Sequence, residues 1–192
     1  MKRMVLVLFA LLIVASDCFA QAPDSAYVGL FADLARTKWA VYYTAAPPNP
    51  TSFSAYVFWL PSVRGIAGAE FAISMPDTNI VELMMPVKNA AVILQMGDDL
   101  ETGVSISWGP DPSQCLTTWA WSHRLICYLW NTDQAEIKVV EHPGLVPPVY
   151  QVATCELGFP KEPVKRYTHL YLNYDGGIST EDRSWGAIKS LF

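Results

Sequence analysis

The chain has 192 residues, a formal net charge of −5 and 52% hydrophobic residues. An acidic chain without a basic cluster excludes nucleic acid and anionic membrane surfaces as its main partners. Its length fits one domain with a core of its own.

The first 22 residues read as a signal peptide. Lys2 and Arg3 form the basic end, Met4–Ala15 the apolar run, and Cys18-Phe19-Ala20 or Ala20-Gln21-Ala22 the small-residue cleavage site. The run is too short for a membrane span of about 20 residues. Asp17 before Cys18 argues against a lipid anchor. Cleavage removes Lys2, Arg3 and Asp17 and takes the charge from −5 to −6. No other long apolar run occurs, so no transmembrane helix is expected.

Residues 23–174 read as a chain of about ten short strands. They fall at 25–33, 40–44, 52–60, 69–75, 80–85, 90–96, 104–108, 135–141, 149–156 and 168–174, besides the stretch 115–131. Pro and Gly clusters punctuate them, as at Ala45–Pro50, Pro76–Asn79, Gly97–Gly103 and Gly109–Pro112. The segment 158–165, with two prolines, reads as irregular. Turns every eight to twelve residues, without helical period, predict an all-β antiparallel sandwich, immunoglobulin-like or jelly-roll. Residues 175–192 read as a linker and tail in which Trp185, Ile188 and Phe192 share one face of a short helix.

The stretch Cys115–Asn131 carries the densest strand signal. Folded as a hairpin centred on Trp121, it opposes Cys115 and Cys127 within disulfide reach. A Cys115–Cys127 bond with Cys155 free is therefore expected, although Ala120-Trp121-Ser122 has none of the residues tight turns prefer. No CxxC pair exists, so a cysteine metal site is not expected.

The run Gly68–Asp77, GAEFAISMPD, followed by Ile80–Leu83, resembles the early strand pair of cohesin-like β-sandwich modules. Gly103–Trp108, GVSISW, is similar to their later glycine-led strand. The resemblance implies a non-catalytic module that binds proteins or builds surface assemblies.

His123, His142 and His169 show no ligand spacing, and no nucleophile-elbow, zinc-protease or phosphate-loop motif is present. Ser122 and His123 are expected on opposite faces of a strand. Asp98, Asp99 and Glu101 form the densest acidic cluster. Hard cations take loop oxygens of this kind, but the spacing is not that of an EF-hand, and a solvated turn is the preferred reading. No cofactor is implied. Aromatics are the most suggestive feature: Trp59, Trp108, Trp119, Trp121 and Trp130 lie in or beside expected strands, with Tyr42, Tyr43, Tyr56 and Tyr128. Large aromatics fill sandwich cores, and exposed ones stack on sugar rings. Trp119, Trp121 and Trp185 are the binding candidates, with Trp121 and Trp185 expected to be the most exposed.

The leading expectation is a secreted, non-catalytic binding or structural module at the cell surface or in the periplasm, with a protein or polysaccharide partner. A carbohydrate-binding module is the first alternative, marked by two or more tryptophans on one solvent-facing strip. A secreted hydrolase is the second, marked by a cleft with convergent acids or histidines.

Overall fold

Period-two alternation sorts each strand's side chains onto two faces, and in this chain the apolar sets face each other. The computed structural model describes residues 24–109, 111–145 and 150–174. Its strands are β1 (Tyr27–Phe31), β2 (Ala40–Val41), β3 (Thr51–Leu60), β4 (Gly68–Ser74), β5 (Val81–Lys88), β6 (Leu94–Met96) and β7 (Val104–Ser107). They continue with β8 (Ala120–Leu129), β9 (Ala135–Val140), β10 (Gln151–Ala153), β11 (Lys161–Pro163), β12 (Arg166–Thr168) and β13 (Leu170–Leu172). A 3-10 turn, Pro112–Gln114, precedes β8.

Two sheets result, as the sequence led one to expect. The first runs β12-β1-β3-β8-β5; the second runs β11-β10-β4-β9-β13-β2, with β7 paired to β4 and β6 to β7. Most pairs are antiparallel, but β1–β12 and β13–β2 are parallel. The strands β9 and β10 take successive halves of β4, with Ala72 opposite Val140 and Glu70 opposite Gln151. They therefore line the same edge of β4, one after the other.

The inner faces carry Val28, Leu30, Ala55, Val57, Trp59, Phe71, Ile73, Leu125, Leu129, Ile137, Val139 and Leu170 in one continuous buried cluster. Trp59 is the largest of them and meets Phe71 and Trp108 edge-on. Burying a residue of this size stabilises by about 2–3 kcal/mol relative to exposure.

Four sequence expectations are corrected. The stretch 115–131 is not a hairpin: Ala120–Leu129 is one ten-residue strand paired along β3 and β5. Without turn residues at 120–122 the strand runs on through them, and the chain crosses from the second sheet to the first earlier, between β7 and β8. Cys115 therefore bonds not to Cys127 but to Cys155, 40 residues away, with Cα atoms 6.0 Å apart. Cys127 points into the core as a free, fully buried thiol. Gly65 makes room for that bond, since its φ is +71° and a Cβ there would sit 2.6 Å from Cys155 Sγ. The proline-bearing segment 158–165 is not wholly irregular: it contains β11, an edge strand, where missing N–H groups are tolerated.

The fourth correction concerns Ser122 and His123. A bulge separates Val57 opposite His123 from Phe58 opposite Trp121, leaving Ser122 unpaired. Alternation breaks there, and both side chains are buried. Ser122 Oγ accepts from Trp59 Nε1 at 3.0 Å and lies 3.2 Å from His123 Nδ1, whose Nε2 reaches Gln95 Oε1 at 3.1 Å. This chain of contacts straps β8 of one sheet to β6 of the other. Burial, with Lys88 nearby, pushes the His123 pKa down to about 4.

Candidate functional site: a groove on the second sheet

The outer face of the second sheet hollows where its residues are smallest. Across the strands, one row reads Lys161, Ala153, Gly68, Ser107, Leu94; the next reads Pro163, Gln151, Glu70, Ser105, Met96. Gly68, Ala153, Ser105 and Ser107 give a low floor. Gly68 is needed because a Cβ would meet the Ile106 carbonyl oxygen at 2.7 Å, so β4 and β7 approach closely only with glycine there. The result is a groove of about 260 Å³. Leu94 and Met96, 54% and 61% exposed, form one rim, while Phe159 and Lys161 line the other side.

Among the described residues Glu70 is the only carboxylate lining the groove. Gln151 Nε2 donates to its Oε2 at 2.6 Å and Lys161 Nζ at 3.0 Å. Burial pushes its pKa up, but the bonds from Lys161 and Gln151 and the lysine charge outweigh that and leave it below the ordinary value. It is thus an oriented anion on a strand, held from one side and open on the β7 side. The disulfide braces the same region, as Cys155 lies two residues beyond Ala153.

The sequence reasoning missed this groove. Its floor is made of small residues, and their functional signal exists only once three strands lie side by side. The residues it did nominate lie elsewhere. Trp119 and Trp121 sit on the outer face of the first sheet, both half-buried. Trp121 meets Tyr56 edge-on, and Trp119 closes over Tyr27, Phe31 and Phe58. Arg36 lies across Trp119 and Phe58, its guanidinium carbon 4.8 Å and 5.4 Å from their ring centres. Trp121, expected to be among the most exposed, is instead a half-buried mid-sheet residue; among the described residues Trp130 is the exposed tryptophan. Trp185 and the expected tail helix lie outside the described residues, as do the residues expected to form a signal peptide.

Asp99 shapes its own turn, its carboxylate accepting from Glu101 N at 2.9 Å. Asp98, Asp99 and Glu101 are not gathered into a ligand set among the described residues. No helix among the described residues is long and apolar enough to cross a membrane.

A two-sheet antiparallel sandwich bearing a shallow groove on one outer face defines a class of β-sandwich module. Solved structures share the sandwich fold. The sixth cohesin of Acetivibrio cellulolyticus scaffoldin B, solved in complex with a Cel5 dockerin, matches with a TM-score of 0.53 at 12% identity, covering 79% of this chain and 99% of that one. A type I cohesin of Clostridium thermocellum, solved as the Coh-OlpC–Doc435 cohesin–dockerin complex, matches at 0.51 and 9% identity over 79% and 94%. The cohesin module of a Clostridium perfringens family 33 glycoside hydrolase matches at 0.50 and 8% identity over 79% and 99%. The chain has a cohesin-like β-sandwich fold. No protein-family model and no curated protein matches the sequence.

Proposed function

We propose that the chain is an exported, non-catalytic binding module that captures a protein partner in the groove of the second sheet. The observation that carries this reading is Glu70, an anion oriented on a floor of small residues and flanked by exposed Leu94 and Met96. A protein segment with small or apolar side chains and one donor group fits it. The Leu94–Met96 rim supplies apolar contact and Glu70 the polar anchor, the combination typical of small interface cores. Two of the structural neighbours were solved in complex with dockerins, and a dockerin-like module is the partner class proposed here. Export and a place at the cell surface or in the periplasm rest on the basic, apolar and small-residue order of the first 22 residues.

The test is quantitative capture of dockerin modules encoded in the source genome, by wild-type protein and by Ser105→Arg, which fills the groove floor. Stoichiometric capture by wild type and at least tenfold weaker capture by the variant are expected. Equal capture by both rejects the groove. N-terminal sequencing of the protein recovered from the extracellular or periplasmic fraction should begin near Gln21 or Pro23, and retention of Met1 rejects export.

A further inference from the structure

The outer face of the first sheet offers a second site with different chemistry. Its outward residues along β8 are Trp121, Arg124, Ile126 and Tyr128, and Trp130 follows in the same alternation. Trp130 rests edge-on against Tyr128 and donates from Nε1 to Glu82 Oε2 at 3.2 Å, and Glu82 stands opposite Tyr128 in the ladder. At the far end, Tyr56 and Trp121 meet edge-on. Trp121 and Trp130 thus lie on one face, nine positions apart, on the order of 25 Å along a strand. At the Trp130 end the surface dips into an open depression of about 450 Å³ lined by Thr78, Asn79, Glu82 and Trp130.

We propose that this face is a saccharide-binding strip for a neutral, β-linked polysaccharide, with one sugar ring seated against Trp130 beside Glu82. Three features select that ligand over a charged or peptide one. First, aromatic rings stand at both ends of one sheet face, and a glycan ribbon presents the C–H faces of its rings to such a surface. Second, the Trp130 depression sets a hydroxyl, an amide and a carboxylate around one indole, and a few placed polar groups beside an apolar wall suit a polyol. Glu82 spends one oxygen on Trp130, and the other can accept from a sugar hydroxyl. Third, the charged side chains between Trp121 and Trp130, Arg124 and Glu82, are both engaged, and Arg36 at the Trp119 end is held over aromatic rings. Arg124 Nε donates to Ser54 Oγ at 3.0 Å with its guanidinium over Tyr56, and Glu82 holds Trp130. The surface therefore asks for no net charge in its ligand. The Trp130 loop is prefolded: Trp130 N donates to Ile80 O at 2.9 Å and Asn131 Nδ2 to Asn79 O at 3.0 Å. Little ordering entropy remains to oppose binding.

The test is calorimetric titration of the full chain with cellohexaose, xylohexaose and chitohexaose, with oligogalacturonate as the acidic control. Saturable binding to at least one neutral hexasaccharide is expected. It should weaken at least tenfold in Trp130→Ala and severalfold in Glu82→Gln, and stay unchanged in the groove variant Ser105→Arg, which separates this site from the partner groove. Trp130 is exposed, so the fold of Trp130→Ala should survive, as far-ultraviolet circular dichroism will report; if it does not, Glu82→Gln alone decides. Failure of all three neutral sugars to bind overturns the proposal. So does equal binding by wild type and Glu82→Gln, or stronger binding to oligogalacturonate. A concentration-dependent dimer in light scattering that Trp130→Ala abolishes, without sugar binding, would assign the face to a second copy of the chain and also overturn it.

Discussion

The two outer faces of this sandwich are built on opposite plans. The second sheet turns out Gly68, Ala153, Ser105 and Ser107 and is hollow; the first turns out Tyr27, Phe31, Phe58, Trp119 and Trp121 and is full. Tyr27, Phe31 and Phe58 are only 1–3% exposed although they face away from the main core. They make a satellite core under the 32–38 turn, where Asp33 accepts from Thr37 N and Lys38 N at 2.9 Å and so presents Arg36 as a lid. The difference teaches that the outer face of a sheet is not one kind of surface. Part of the first face, under the 32–38 turn, is structural packing, and the rest, from Trp121 to Trp130, is the part open to a ligand. The second face contributes little packing beyond its floor, and its side chains are free to serve recognition.

The contrast predicts different costs for truncation on the two faces. Phe58→Ala removes the centre of the satellite core and should cost about 3–5 kcal/mol, read from chemical denaturation. A cost below about 1 kcal/mol would place the whole first face among the recognition surfaces.

The disulfide sharpens the comparison from the groove side. It closes a loop with a sequence separation of 40, worth about 4 kcal/mol in the chain-entropy model. Cys115→Ala with Cys155→Ala should lower stability by about that much and loosen the β10 side of the groove. Cys127 carries a thiol that burial pushes up to about 12, and it should resist alkylation in the native protein. Peptide mapping that recovers a Cys115–Cys127 pair would reverse this assignment.

Between the faces stands His123. Its folded pKa of about 4 lies below the ordinary imidazole value of 6.5. Above pH 6.5 both folded and unfolded chains hold it neutral, and it adds no pH dependence. As pH falls from 6.5 to 4 the unfolded chain takes the proton first, so stability is lost across that window, by about 3 kcal/mol at its acid end. His123→Leu should flatten that part of the stability–pH curve. An unchanged slope would show that other groups carry it.

The smallest effect belongs to the groove. Glu70→Gln keeps the shape and removes an exposed ion pair with Lys161, so stability should change by less than about 1 kcal/mol while partner capture falls. A loss of several kcal/mol would make Glu70 a structural residue and remove the contrast between the faces.

Some of this was legible in the residue order. Alternation in segments such as Phe71-Ala72-Ile73 and Val104-Ser105-Ile106 marks strands, because a sheet with one buried face imposes period two on its sequence. The short resemblance at Gly68–Asp77 and Gly103–Trp108 coincides with β4 and β7, which are paired neighbours and form the groove floor. What local pattern could not reveal was long-range pairing. Cys115 meets Cys155 because β4, β7 and β10 lie side by side, and a register built only from neighbours in sequence offered Cys127 instead. Ser122 meets His123 because a bulge breaks the alternation that their adjacency implied. Trp130 opens a depression because β5 brings Glu82 beside it from 48 residues away. Strand identity and the apolar faces follow from local periodicity, which the sequence carries by itself. Which faces are hollow, filled or open depends on side chains that meet only after the sheets assemble, and that was decided by the tertiary structure alone.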